Sequence, residues 1–292
     1  METFNFKPII IIGAARSGTN MLRDVLTSLY NFATWPCDEI NYIWRYGNKK
    51  REDDEFDLTD VSKKNRKFIR KQFMNFHNKV QTDYIVEKTC ANSLRVDFVD
   101  EIIPEAKYIH IYRNPIDVSA SAKKRWKASL DLMYVLKKAR YVPFQDVPYY
   151  AIKYLNNRIK RLFNNENKLD YWGPKFKGFK EITKNKSLIE TCAIQWKKSV
   201  KSSLESFDNI NNDRVYHISY ENFVINPLNE LSEIINYINP ELNNKKELKE
   251  AVKNVSPKSI EKGYKELDEK KIKTIEEITK EAYKKVKRYR NE

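Results

Sequence analysis

The chain has 292 residues, of which 41% are hydrophobic, and a formal net charge of +15. That is apolar material enough for a core, under a surface that a mean hydropathy of −0.73 makes very polar. Composition and pattern exclude three classes: no stretch approaches the length of a membrane span, the N-terminal apolar run Pro8–Ile12 is too short for a secretory leader, and Cys37, Cys90 and Cys192 have no metal-ligand spacing and form no disulfide framework, so a reduced, cytoplasmic setting is expected.

The first predicted element is a strand over 8–12. Its isoleucines, Ile9 to Ile12, lie between Pro8 and Gly13 and read as buried on both faces. A turn from Gly13 to Gly18 leads into a helix over 19–30, with Leu22, Val25, Leu26 and Leu29 on one face. Strand, glycine turn and helix together present backbone N–H groups and a helix N-terminus to a phosphate. Gly13 and Gly18 have the spacing of a Walker A loop, but Thr19 stands at the lysine position and Asn20 at the magnesium-ligand position. The loop's cation is Arg16, which can grip an anion through its planar fork. These residues alone also allow an ordinary strand–helix turn with a surface arginine.

A strand over 32–35 leads into Trp35-Pro36-Cys37-Asp38-Glu39. A helix over 60–78 and a strand over 84–87 follow, the latter running into Lys88, Thr89 and Cys90. After a helix over 92–103, Lys107–Tyr112 alternates as a strand and gives way to Arg113-Asn114-Pro115-Ile116-Asp117-Val118-Ser119-Ala120-Ser121. Asn114 suits an N-cap, Pro115 the first helical position and Asp117 the first turn of a helix over 115–138. Arg113 thus stands at a second helix mouth, with Ser121 about two turns along.

The stretch 139–186, with Pro143, Pro148, Gly173, Pro174 and Gly178 and a helix over 147–164, reads as a helical and loop-rich insertion, a wall or lid over a ligand. From Lys123 to Lys186 there are 17 Lys or Arg against 5 Asp or Glu, interleaved with aromatics. Such a region is either an anion-binding surface or amphipathic helices with aromatics turned inward. No RNA- or DNA-binding motif is present, so no nucleic-acid partner is expected. Helices over 186–206, 226–238, 243–254 and 268–290 and a strand over 214–219 complete the chain, with 241–292 a solvated, helical C-terminal segment. Strands alternating with helices predict an α/β three-layer sandwich on a mostly parallel sheet, P-loop-like, in one domain over 1–292. Phosphate-binding turns then gather at the C-terminal ends of the strands.

Taken together, Gly-Ala-Ala-Arg-Ser-Gly-Thr-Asn-Met-Leu (13–22) and Arg-Asn-Pro-Ile-Asp-Val-Ser-Ala-Ser (113–121) resemble the sulfotransferase family that uses 3′-phosphoadenosine-5′-phosphosulfate (PAPS). The resemblance is to the bacterial and tyrosylprotein-like members and spans roughly residues 8–240. It implies that Gly13, Ala15, Arg16, Ser17, Gly18, Thr19 and Asn20 form the 5′-phosphosulfate loop, and that Arg113 and Ser121 hold the 3′-phosphate. Ile85-Val86-Glu87-Lys88-Thr89 looks like the family stretch whose lysine lies near the sulfuryl group, which gives that role to Lys88; Cys90 replaces the usual proline. Gln195-Trp196 and Arg214–Phe223, with Tyr220-Glu221-Asn222, resemble the family's Trp helix, last strand and turn, and read as scaffold. A basic loop, with Ser256, Lys258, Lys262 and Gly263, either closes over the 3′-phosphate or is an exposed charged turn.

The implied chemistry is metal-independent transfer of a sulfuryl group from PAPS to an acceptor hydroxyl or amine on a glycan, small molecule or peptide, leaving adenosine 3′,5′-bisphosphate. Arg16 and Lys88 supply cations for the charge on the transferred group. A hydroxyl acceptor also needs a base. His110 and His217 fall inside strands, which leaves His77 as the only histidine outside one. The resemblance points instead to a carboxylate after the second strand: Glu39, with Asp38 as the alternative, against the reading of an exposed acidic turn. Rival classes are a P-loop kinase or NTPase, opposed by Thr19 and Asn20, and a non-enzymatic polyanion binder, supported only by charge.

Overall fold

A computed structural model of the chain describes residues 3–126, 142–143, 146–149 and 172–289. The predicted 139–186 insertion therefore lies largely outside the described residues, and only 172–186 of it is continuous with the rest. The sheet has five strands, β1 (Lys7–Ile12), β2 (Phe32–Ala33), β3 (Tyr84–Lys88), β4 (Lys107–Tyr112) and β5 (Val215–Ser219), in the order β2-β3-β1-β4-β5. Every pairing is parallel. Parallel neighbours need crossover connections, which place helices on both faces and leave the strands no polar side. The isoleucine run of β1 answers that demand. Ile10 and Ile12 enter one core with Phe73, Phe98 and Phe207, whereas Ile9 and Ile11 enter the other with Leu22, Leu26 and Ile234.

The helices are α1 (Thr19–Leu26), α2 (Asn41–Trp44), α3 (Lys63–Val80), α4 (Val96–Ile102), α5 (Pro115–Trp126), α6 (Phe179–Asn185), α7 (Leu188–Phe207), α8 (Tyr220–Ile225), α9 (Pro227–Ile238), α10 (Lys245–Ala251), α11 (Lys262–Glu266) and α12 (Glu269–Arg288). Long helices begin where their caps are written: Ser62 with Asn65 closes a capping box on α3, and Ser187 with Glu190 does so on α7. The helix expected over 92–103 is a 3₁₀ turn, Cys90–Leu94, followed by the shorter α4. Register aligns Ile11 with Lys88, Ile12 with His110 and Tyr112 with Ser219. The segments that leave β1, β3, β4 and β5 therefore emerge along one edge of the sheet, where open parallel sheets bind ligands. No helix among the described residues is long and apolar enough to cross a membrane.

Candidate active site

Past Ile12 the chain turns tightly because two glycines allow it. A Cβ on Gly13 would lie 2.5 Å from the Ile111 carbonyl oxygen. Gly18 has φ +92°, and a Cβ there would lie 2.3 Å from Cδ2 of Tyr220. Between them the Ser17 N–H donates to the Ala14 carbonyl at 3.0 Å, and Arg16 adopts φ 76°, in the left-handed region. A non-glycine residue there stores roughly 1–2 kcal/mol, held by the surrounding structure. Gly18 is the N-cap of α1, so the first-turn N–H groups, Thr19 and Asn20 among them, have no acceptor within the helix. Ser17 is fully buried and its Oγ has no hydrogen-bond partner. Ala15 lines a small internal cavity with Ala14, Val118, Gln195 and Trp196.

The second segment folds as its sequence directs. The Asn114 side chain accepts from the Ile116 N–H at 2.9 Å and so opens α5. Arg113, just before it, is buried, and its carbonyl accepts from the Trp196 indole at 3.1 Å. Its guanidinium lies 4.2 Å from the Tyr220 ring centre and 3.6 Å from Asp117, and donates to the Arg16 carbonyl at 3.3 Å. From the loop side, Arg16 Nε donates to Ser121 Oγ at 2.9 Å. Two segments about a hundred residues apart in sequence thus meet through Arg16, Arg113 and Ser121. Desolvation of the Arg16 guanidinium, then the like charges of Arg125 and Arg113, lower its pKa below the ordinary arginine value. Arg125 lies one helical turn beyond Ser121 on the same face, and no motif in the sequence marks it.

Of the 256–263 stretch, Ser256, Lys258 and Lys262 are exposed, while the backbone of 259–263 packs against this mouth. Asp117 accepts from the N–H groups of Glu261 at 2.9 Å and Gly263 at 2.7 Å. Arg113 donates to the Ser259 carbonyl, and the Tyr220 hydroxyl bonds the Ser259 hydroxyl. A Cβ on Gly263 would lie 2.7 Å from the Ile116 carbonyl oxygen, which explains a glycine there. Tyr220 and Glu221 are scaffold: the ring backs Arg113, and the carboxylate accepts from the Asn114 N–H at 3.0 Å.

At the end of β3 a second cluster forms. Lys88, 3% exposed, donates to Asp38 Oδ1 at 3.0 Å and Glu39 Oε1 at 3.2 Å. Burial pulls its pKa down, but the carboxylates of Glu39 and Asp38 more than offset this and hold it well above the ordinary lysine value. Lys88 is therefore a permanent cation. Glu39 Oε1 also accepts from the Cys90 N–H at 3.2 Å, and Asp38 Oδ1 also accepts from Arg23 at 3.0 Å. Asp38 and Glu39 are thus paired carboxylates rather than an exposed acidic turn. Cys90 Sγ stands 3.7 Å from Thr19 Oγ1, which ties this cluster to the first turn of α1. Burial first, and then the charge of Glu39, push the Cys90 thiol up to about 12, so it stays protonated.

The three histidines are placed elsewhere. His110 and His217 share a hydrogen bond between their Nδ1 atoms at 3.0 Å on neighbouring strands. His77 stacks on Phe6 and has Nδ1 3.1 Å from the Thr82 carbonyl, at the opposite end of the sheet from the glycine loop.

A family model described as the sulfotransferase family matches residues 8–170. The chain belongs to that family. No curated protein matches it in sequence. Among solved structures, a sulfotransferase from Alicyclobacillus acidocaldarius is similar with a TM-score of 0.54 at 14% identity, over 99% of this chain and 96% of that one. A sulfotransferase domain from the curacin biosynthetic pathway gives 0.53 at 13% identity, over 94% and 98%. A sulfotransferase domain from the Synechococcus PCC 7002 olefin synthase gives 0.50 at 14%, over 95% and 96%. At these identities the likeness carries the fold, and sulfotransferase membership rests on the family match.

Proposed function

We propose that this sulfotransferase takes its sulfuryl group from PAPS and delivers it to an acceptor hydroxyl or amine without a metal. The observation that carries this reading is the meeting of two anion-binding segments through Arg16, Ser121 and Arg113 beneath the 256–263 loop. The residues fit a nucleotide with two separate anionic groups. Ser17 Oγ, in the glycine loop, and Arg113 Nε, at the second helix mouth, are buried without hydrogen-bond partners. Arg16, Ser17, Gly18, Thr19 and Asn20 would hold the 5′-phosphosulfate, and Arg113 with Ser121 the 3′-phosphate. Bound there, PAPS supplies an activated sulfuryl group.

The chain's own residues then have distinct tasks. Arg16 and Lys88 offset negative charge on the transferred group, because fixed cations in a desolvated site act without reorganising. Glu39 accepts the acceptor's proton on its carboxylate. Asp38 is the less suited base because it pairs with two cations, Arg23 and Lys88, where Glu39 pairs with Lys88. Thr19 and the first-turn N–H groups of α1 donate hydrogen bonds.

The test is a thermal-shift comparison. Adenosine 3′,5′-bisphosphate without metal should stabilise the fold by about 2.7 kcal/mol at 100 times its dissociation constant. Equal stabilisation by ATP with magnesium, or none by the bisphosphate, would sink the donor assignment. A screen of hydroxyl and amine acceptors with labelled PAPS addresses the acceptor.

A further inference from the structure

Behind Lys88, on the other face of β3, lies a buried polar chain that the reaction scheme leaves unused. Glu87 is 1% exposed, and its two oxygens are both occupied. Oε1 accepts from the Thr89 hydroxyl at 2.5 Å, and Oε2 accepts from the Asn92 amide at 2.9 Å. Each of these partners reaches on toward the Glu39 segment. Thr89 Oγ1 accepts from the Ile40 N–H at 3.2 Å. Asn92 Oδ1 accepts from Arg95 Nε at 2.9 Å, and Arg95 Nη2 donates to Asn41 Oδ1 at 2.6 Å. Glu87 is therefore the hub of two tethers, and they end on the two residues that follow Glu39.

A buried carboxylate with hydrophobic neighbours is an expensive device for holding a strand end, since a packed apolar side chain would do so without desolvating a charge. Burial pushes the Glu87 carboxyl up to about 7, against its hydrogen bond from Thr89. What an apolar residue could not do is orient the Thr89 hydroxyl. By accepting the hydrogen bond of the Thr89 hydroxyl, Glu87 turns a Thr89 oxygen lone pair toward Ile40 N–H. Ile40 then sets where the preceding carboxylate stands against Lys88 Nζ and Cys90 N–H.

We infer that Glu87 is a positioning residue, which acts through Thr89 and Ile40 to hold the Glu39 carboxylate against Lys88 and the Cys90 N–H. This rests on the reading of Glu39 as the base, and the experiment separates the two. Two readouts are used. One is the release of adenosine 3′,5′-bisphosphate from saturating PAPS, with a fixed mixture of a phenol, a primary alcohol and an amino sugar as acceptor. The other is amide hydrogen exchange at Ile40 and Cys90, whose N–H groups report the tether and the carboxylate directly.

Glu87→Met, which removes the acceptor at nearly the same size, and Thr89→Val should each lower turnover roughly tenfold to a hundredfold, the range in which a small misplacement of a reacting group is felt. Both should speed exchange at Cys90 and Ile40 while the strand β1 amides and bisphosphate affinity stay as in the parent. Thr89→Ser keeps the hydroxyl and should restore both rate and protection. Glu87→Met added to Glu39→Gln should cost nothing further, because residues that act as one unit are not additive. An effect of Glu87→Met that adds in full to that of Glu39→Gln, or Cys90 protection that survives Glu87→Met, overturns the inference and leaves the Glu39 reading standing. A Glu39→Gln enzyme with parental turnover removes the Glu39 reading, and the inference with it. If Glu87→Met does not fold, the Thr89→Val and Thr89→Ser pair decides: equal turnover in the two overturns it.

Discussion

Gly18→Ala tests the loop geometry most severely. The added methyl meets two obstacles at once. At φ +92° an L-residue is strained, by about 1–2 kcal/mol. Its Cβ would also sit 2.3 Å from the Tyr220 ring, so something must shift, and overpacking of this kind costs about 1–3 kcal/mol. Tyr220 is poorly placed to yield, since its ring stacks on Arg113 and its hydroxyl is bonded to Ser259. The expected loss is roughly 2–5 kcal/mol. With an unfolding entropy of about 2.1 cal/mol/K per residue, the 292-residue chain loses about 0.6 kcal/mol per degree near its midpoint. Tm should then fall by about 3–8 °C. Because the ring can move only by pushing Arg113, bisphosphate affinity should fall as well. Adding Tyr220→Leu should return part of the packing loss but none of the backbone strain. Thermal denaturation with and without the bisphosphate reads both effects. A Gly18→Ala protein that melts within about 1 °C of the parent and binds the bisphosphate equally well would refute the reasoning.

Arg113→Ala should chiefly weaken bisphosphate binding, measured by calorimetry, whereas Lys88→Ala should chiefly lower turnover at saturating PAPS; Lys88→Ala with parental turnover would remove its proposed role. Glu39→Gln should cost on the order of 10²–10⁴-fold in turnover and Asp38→Asn much less, and the reverse ranking in an initial-rate assay would transfer the base to Asp38. Burial lowers the His217 pKa to about 4 and drives that of His110 well below the usual histidine value. As pH falls below about 6.5 the unfolded chain takes up protons that the folded pair refuses, so the pair's contribution to stability is lost on acidification. For His217 the window runs down to about 4, at up to roughly 1.4 kcal/mol per pH unit. Chemical denaturation from pH 7 to 4.5 should therefore show a shallower acid loss for His217→Phe than for the parent; equal slopes would refute this.

What the sequence showed clearly was whatever a short window encodes. The Ile9–Ile12 run, the alternation over Lys107–Tyr112 and the Asn114-Pro115 cap each declare themselves within a few residues, and all five expected strands are present. β2 is only Phe32–Ala33, because pairing with β3 is limited to two residues. Four helices of four to seven residues, α2, α6, α8 and α11, had no reading, since one or two turns carry too little periodicity to stand out. The site divides in the same way. Arg16, Lys88 and Arg113 sit beside local signatures, and the structure brings Arg16 to Arg113 and Lys88 to Glu39. The partners of Asp38 and Asp117 were hidden because pairing is set by tertiary distance: Arg23 looks like any helix-surface arginine, and Glu261 and Gly263 offer only backbone N–H groups. The Glu87 hub was hidden for a related reason, as nothing in a strand sequence says which alternate residue will be dry on both sides.

The clasp between Arg113 and Ser259 joins residues 146 positions apart, and Arg16 lies further still toward the N-terminus. A chain emerging from the ribosome can complete the pairing of β1, β3 and β4 well before residue 259 exists, because domains begin to order as they are made. The mouth around Arg113 then stands with one side open until residues 259–263 arrive and Gly263 packs on the Ile116 carbonyl. Long-range closure of this kind comes late and slowly, since its loop entropy must be met before its contacts form. A nucleotide held at that mouth would therefore act as a lock on segments already brought together, and would have nothing to nucleate before residue 259 is made.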